Sequence, residues 1–218
     1  MIWHELGLKR YSEVWQLQEQ FFRQNITAKE NGLPTTQHVI LCEHHPVYTL
    51  GKSGKTENIL VDPSTVGADF FKTDRGGDVT FHGPGQLVVY PILDLDYFKL
   101  GTAAYVHRLE ETILRTLKNY NIAGERLPEA PGIWLLQPFP RKIAAIGIRV
   151  SRGITQHGIA INVNTDLSYF TKIIPCGLAG KAVTSVEHEL RHSVPMNEFA
   201  AIYKRCFESI FDTHATVT

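Results

Sequence analysis

Residues 75–95 read RGGDVTFHGPGQLVVYPILDL, and the punctuation of this stretch decides how the chain folds. Two glycines after Arg75 remove Cβ atoms where the backbone must come close to something else. Val79, Thr80 and Phe81 form a short alternating piece, His82 follows, and Gly83-Pro84-Gly85 turns the chain. Residues 87–95 are an apolar run rich in Val, Ile and Tyr, which predicts a buried strand. Glycines beside such a strand leave room for a ligand or for a second backbone. An arginine, a histidine and four glycines are more than a hairpin needs, although a Gly-rich hairpin with incidental polar residues is the plain alternative.

Upstream, residues 2–6 read as a strand, and from Ser12 onward Val14, Leu17, Phe21 and Phe22 fall at helical spacing until Asn31-Gly32 supplies a stop. Residues 38–42 and 47–50 read as strands joined by the polar turn Glu43-His44-His45-Pro46. Downstream, residues 104–121 predict a helix with Val106, Leu109, Ile113 and Leu117 on one face. Residues 132–136 predict a short strand, and residues 142–150 and 154–163 a hairpin closed by Ser151-Arg152-Gly153. A last helix covers about residues 195–211, with Met196, Phe199, Ala200, Tyr203, Phe207 and Ile210 along one face. Helices interspersed among hairpins predict an α+β fold with a mixed sheet, not a regular βαβ array. No repeat or linker divides the 218 residues, so a single domain spanning 1–218 is expected.

Lys plus Arg and Asp plus Glu both number 22, so no global field argues for nucleic acid or an anionic membrane. No apolar run approaches the length of a membrane span. The N-terminal MIWHELGLKRYSE lacks the basic-then-apolar layout of a secretory signal. Cys42, Cys176 and Cys206 are too few and scattered for a disulfide framework, and no C-x-x-C occurs. A reduced cytoplasmic protein is the expectation.

Two motifs promise more than their context supports. Gly51-Lys52-Ser53-Gly54-Lys55-Thr56 resembles the end of a phosphate-binding loop, but Thr49 stands where the pattern needs its first glycine, and Pro63 follows too soon for a helix. A surface loop is the better reading. His188-Glu189-Leu190-Arg191-His192 matches H-E-x-x-H, yet Pro195 keeps any helix short and no third ligand stands nearby. No metal is therefore expected.

Cys176 lies between Pro175 and Gly177, in a loop whose exposed backbone N–H groups can offer a nucleophile and an oxyanion site together, although a loop cysteine without flanking partners is more often inert than catalytic. Cys42 falls mid-strand and Cys206 on the last helix, where a small buried hydrophobe is expected. The natural partner for Cys176 is Lys142, at the start of the long hairpin: a nearby ammonium favours the thiolate, and the two groups then titrate together. Taken alone, Lys142 also reads as a surface lysine at a strand end.

The ordered set RGGDVTFHGPGQLVVYPILDL, PGIWL, RKIAAIGIRV, ITQHGIAINVNTDLSYF and IIPCGLAGKAVTSV resembles the lipoyl(octanoyl) transferases of lipoate biosynthesis, members of the biotin/lipoate protein ligase superfamily, over nearly the whole chain. The resemblance implies a catalytic domain with a larger mixed sheet, a smaller sheet and packed helices. It implies that Cys176 takes an octanoyl group from octanoyl-acyl carrier protein as a thioester, and that a lysine of a lipoyl domain then accepts it as an amide, without ATP or cofactor. The acceptors implied are lipoyl domains of 2-oxoacid dehydrogenase complexes and the glycine cleavage H protein. Lys142 would lower the Cys176 pKa and move protons. The substrate-binding segments implied are Arg75, Gly76, Gly77, Asp78, Val79, Thr80, Phe81 and His82; Ala145, Ile146 and Gly147; and Gly158, Ile159 and Ala160. On that reading Gly76, Gly77, Gly147 and Gly158 clear space for an eight-carbon chain, Ile146 and Ile159 supply apolar wall, and His82 orients the acyl carbonyl or the incoming amine.

Asp78 stands where this family usually has glutamine, and Phe81 where it has tyrosine; both changes bear on the substrate more than on the reaction. An acidic carrier protein needs a local basic patch, and Arg141, Lys142, Arg149 and Arg152 around the hairpin are the expected one. The rival readings are an ATP-dependent lipoate ligase on the same fold and a non-catalytic carrier or lipoyl-domain binding module, with a zinc hydrolase last.

Overall fold

A computed structural model describes residues 1–128, 130–174 and 182–212. In chain order its elements are β1 (Ile2–Lys9), α1 (Tyr11–Glu30), β2 (His38–His44), β3 (Val47–Leu50), β4 (Asp69–Lys72), β5 (Val79–His82) and β6 (Gln86–Ile92). Then come α2 (Thr102–Lys118), β7 (Glu125–Arg126), β8 (Gly132–Leu135), β9 (Arg141–Ser151), β10 (Ile154–Asn162), β11 (Ala182–Val183), α3 (Val186–Leu190) and α4 (Met196–Phe211). The larger sheet runs β1-β2-β6-β10-β9-β8-β7, with β11 added beside β9; the smaller is β4-β3-β5. Parallel β1–β2 and β9–β11 pairs among antiparallel ones make the larger sheet mixed, as the α+β expectation required.

Alternation along the central strands sorts the core into two faces. Val39 and Leu41, Leu87 and Val89, and Ile159 and Ile161 pack beneath α2 and α4, which contribute Tyr105, Leu109, Ile113, Phe199, Tyr203 and Phe207. Their neighbours Ile40 and Cys42, Val88 and Tyr90, and Ala160 face the other way, against Tyr11, Val14, Phe21 and Phe22 of α1. Tyr48, Leu50, Val79 and Phe81 of the smaller sheet close a third cluster with Phe170 and Ile173.

The opening stretch is not a hairpin. β5 pairs with β3 in the smaller sheet while β6 pairs with β2 and β10 in the larger, so Gly83-Pro84-Gly85 carries the chain from one sheet to the other. The turn after β2 does the same for β2 and β3, which the polar stretch Glu43–Pro46 joins in sequence but which lie in different sheets. Gly85, at φ +78°, would place a Cβ 2.3 Å from the Asn164 carbonyl oxygen, so only glycine fits this crossover. The two crossovers leave a space between the sheets.

Candidate active site

A cavity of about 550 Å³ occupies that space. Every residue from Arg75 to His82 except Phe81 lines it, as do Ala145, Ile146, Gly147, Gly158, Ile159, Ala160 and Lys142. Gln86, Tyr90, Trp134, His157 and Asn162 line it too, and so does Tyr11 at the start of α1. Phe81 is turned away: its ring stacks on Tyr169 at 4.3 Å inside the third cluster, so the departure from tyrosine falls outside the cavity. Cys176 lies outside the described residues.

The wall begins with Arg75, buried, whose guanidinium donates to the Thr49 carbonyl and hydroxyl at 2.6 and 2.9 Å. Just before it, Asp74 accepts from His157 Nε2 at 2.6 Å and pairs with Arg149 at 2.5 Å. The Gly76 N–H donates to the Ile148 carbonyl, laying the loop across β9. Here the glycines serve backbone approach more than ligand volume. A Cβ on Gly147 would sit 3.1 Å from the Gly76 carbonyl oxygen, and one on Gly158 2.1 Å from that of Val89. Asp78 is accounted for by the neighbouring loop: its carboxylate accepts from Asn58 Nδ2 at 2.5 Å and from the backbone N–H groups of Val79 and Lys55.

A bulge in β9 aims Lys142. Ile133 pairs with Ala144 but Trp134 with Lys142, so Ile143 is an extra residue, and both Ile143 and Ala144 sink into the helix-side cluster. The break in alternation turns Lys142 to the cavity, where its Nζ donates to the Pro131 carbonyl at 3.1 Å and lies 4.8 Å from the Trp134 ring centre. β11 follows the segment that holds Cys176, and its Val183 pairs with Lys142.

His82 is buried, and burial with help from neighbouring His44 pushes its pKa down to about 3, so the ring is neutral at pH 7. Nδ1–H donates to Gln86 Oε1 at 2.7 Å, leaving Nε2 toward the Thr49 hydroxyl at 3.5 Å. Both nitrogens face protein partners, which makes the ring a buttress of the wall. Gln86 passes the contact on, donating to Asn162 Oδ1 at 2.9 Å, and Asn162 donates to the Thr184 carbonyl at 3.0 Å.

The two weak motifs are taken up by the fold, and one expectation, the basic patch, is corrected. The backbone N–H groups of residues 51–55 that a phosphate would need are bonded within the fold, to the Asp78, Arg75, Gly77 and Gly51 carbonyls and the Asp78 carboxylate. H-E-x-x-H is no metal site: Glu189 is engaged by Arg141, and the described residues contain no group of three potential ligands. Nor do the hairpin arginines form one open patch, because Arg141 pairs with Glu189, Arg149 with Asp74 and Arg152 with Glu30. Tyr11, Asp74, Gln86, Trp134, His157 and Asn162 went unmarked in the sequence. Gln86, Trp134, His157 and Asn162 stood inside the quoted motifs, whereas Tyr11 and Asp74 carried no signal before the fold brought them in.

Residues 10–208 match the Lipoyl protein ligase A/B catalytic domain family. A protein of Bacteroides thetaiotaomicron named octanoyltransferase is 50% identical over 193 residues, covering 86% of this chain and 85% of the relative. One of Christiangramia forsetii with the same name is 44% identical over 218 residues, covering 94% and 93%. Among solved structures, the bi-partite lipoate protein ligase of Thermoplasma acidophilum aligns with a TM-score of 0.69 at 13% identity, over 96% of this chain and 84% of that one. That likeness concerns the fold, a larger mixed sheet with a smaller sheet and packed helices. With the sequence relatives it is decisive: the chain belongs to the lipoyl protein ligase A/B catalytic domain family, and to the octanoyltransferases within it.

Proposed function

We propose that residues 1–218 act as one cytoplasmic catalytic domain that moves an octanoyl group from octanoyl-acyl carrier protein to a lysine of lipoyl domains. The acceptors are those of 2-oxoacid dehydrogenase complexes and the glycine cleavage H protein. The observation that carries this reading is the largely apolar cavity with the Lys142 ammonium on its wall, beside the strand to which the Cys176 segment leads. The Cys176 thiolate attacks the thioester carbonyl, and the carrier thiolate leaves and takes up a proton held by Lys142. The acyl group is now a thioester of Cys176. The neutral ε-amine of the acceptor lysine attacks it, the amide forms, and its surplus proton returns to Lys142 as the Cys176 thiolate departs. Thioester to amide runs downhill, so ATP is not needed. Arg75–Asp78 with β9 and β10 hold the chain, and Val79, Val88, Ala145 and Ala160 add apolar wall to Ile146 and Ile159.

Intact-protein mass after mixing with octanoyl-acyl carrier protein, without ATP, tests this. A single octanoyl addition that maps to Cys176 and disappears when lipoyl domain is added is the expected result. An adduct that requires octanoate and ATP would replace the transferase with a ligase, and no transfer under either condition would leave a binding module.

A further inference from the structure

Glu189 sits in the H-E-x-x-H motif, in the five-residue helix α3, and its carboxylate accepts three side-chain hydrogen bonds. Arg141 donates to it twice, Nε to Oε1 and Nη2 to Oε2, both at 2.7 Å, in the planar two-point geometry that only arginine offers a carboxylate. The Thr184 hydroxyl donates to Oε1 at 2.6 Å. The pair is largely buried, with side-chain exposures of 12% and 17%. The Arg141 guanidinium holds the Glu189 carboxyl below the usual range, so it is ionised at pH 7.

What this carboxylate joins is informative. Arg141 precedes Lys142 on β9, and the Thr184 N–H donates to the Lys142 carbonyl at 2.9 Å. Glu189 therefore grips Lys142 from both sides, through the side chain before it and through the residue bonded to its own backbone. Thr184 in turn accepts from Asn162, and Asn162 from Gln86, so the grip continues to His82 through buried hydrogen bonds. The Ser185 hydroxyl caps α3 by accepting the His188 N–H, which orients the helix that carries Glu189. Besides the Arg141–Glu189 pair, the start of β9 beyond the bulge is held by the short β8, the two-residue β11 and the bonds from Arg141 Nη1 to the Gln137 and Phe139 carbonyls in the neighbouring loop.

We propose that Glu189 is a positioning residue: it locks Arg141 and Thr184 together so that the Lys142 amine is held in place on the cavity wall during acyl transfer. This rests on the Cys176–Lys142 reaction above. Misplacement by about an ångström is enough to cost roughly a hundredfold in rate.

The test compares Glu189→Gln and Thr184→Val with wild type. Both variants keep the size of the side chain, and Thr184→Val removes only the hydroxyl bond, so one of them reports even if the other folds poorly. Two readouts separate positioning from mere stability: the kcat against KM split for octanoyl transfer, and the pH dependence of Cys176 alkylation by iodoacetamide, followed by peptide mass. The expected result is a kcat about tenfold or more lower with KM for the acyl donor little changed, and a Cys176 alkylation profile displaced to higher pH. If wild type forms the Cys176 adduct while folded variants keep its kcat and alkylation profile, Glu189 is structural and the proposal falls alone. If wild type forms no adduct at Cys176, the reaction itself is wrong and the positioning role falls with it.

Discussion

His157 donates its Nε2–H to Asp74 across 2.6 Å, and this single bond joins the loop bearing Arg75 to β10. His157 adopts a left-handed backbone, φ +58°, which a residue with a side chain enters at a cost. Its N–H is held by Gln18 Oε1 from α1, and its ring by Asp74. Burial lowers the His157 pKa, and the bond to His157 holds the Asp74 carboxyl below its usual range, so a neutral donor meets a charged acceptor at pH 7. The cavity wall is thus fixed by a residue outside the Arg-Gly-Gly motif.

Replacing Asp74 by Asn should loosen that wall without touching the reacting groups. An amide can accept from His157 or meet Arg149, but it cannot pair as a charge with the latter. We expect KM for octanoyl-acyl carrier protein to rise about tenfold, kcat to hold within about threefold, and stability to fall by about 1–2 kcal/mol. Steady-state kinetics with urea denaturation check it; an unchanged KM would separate the loop from substrate binding.

The buried histidines predict an acid-sensitive fold. The His82 pKa, driven down mainly by burial, is about 3 in the folded chain against 6.5 for an exposed imidazole, and that of His44, lowered mainly by the same cause, is about 4. Below pH 6.5 the unfolded chain takes up protons that the folded chain refuses, so stability contributed by these rings is complete above that pH and drains away as pH falls toward 3–4. At about 1.4 kcal/mol per unit of pKa difference, the loss amounts to several kcal/mol. Urea midpoints taken from neutral to mildly acidic pH should fall steeply in wild type and less steeply in His82→Gln. Equal slopes would mean that the His82 ring is not held neutral.

Much of this arrangement was legible in the chain. β6 and the hairpin of β9 and β10 announce themselves through apolar runs, and α2 and α4 through their spacing. The exchange of sheets at Gly83–Gly85 was not, because a glycine-rich turn reads the same whether it returns a strand to its partner or hands it to another sheet. The bulge at Ile143 was equally silent, since an extra residue inside an apolar strand leaves the pattern almost intact. Polar partners such as Asp74 and Gln86 were hidden for a different reason: their importance lies in residues far along the chain, and no local period records such a meeting.

Gly147 offers a test of how close the loop lies to β9. Valine is favoured in strands, so Gly147→Val should preserve the sheet, but its first carbon would already stand 3.1 Å from the Gly76 carbonyl oxygen and 3.2 Å from Arg75 Cδ. The loop must lift or the cavity must narrow, at a cost of about 1–3 kcal/mol. Octanoyl transfer should drop roughly tenfold, whereas a butanoyl donor, needing less of the cavity, should lose less. Equal losses for both donors would show that the loop does not bear on chain length.

Lys142 carries the most demanding prediction, because charge and proton transfer can be separated there. Lys142→Arg keeps a cation beside the Trp134 ring and retains donors for the Pro131 carbonyl, but a guanidinium does not give up its proton near neutral pH. Lys142→Ala removes both properties. If the amine only steadies a thiolate, arginine should restore much of the activity that alanine loses. If it also gives a proton to the leaving carrier thiolate and later takes one from the acceptor amine, both variants should fall by a factor of about a hundred to ten thousand. Arginine should then slow both the formation of the Cys176 adduct and its transfer to the acceptor, because it neither gives up a proton in the first half-reaction nor takes one up in the second. Rapid-quench mass measurements of adduct formation and of its transfer to lipoyl domain distinguish these cases. A Lys142→Arg enzyme that completes both halves at the wild-type rate would confine Lys142 to electrostatics.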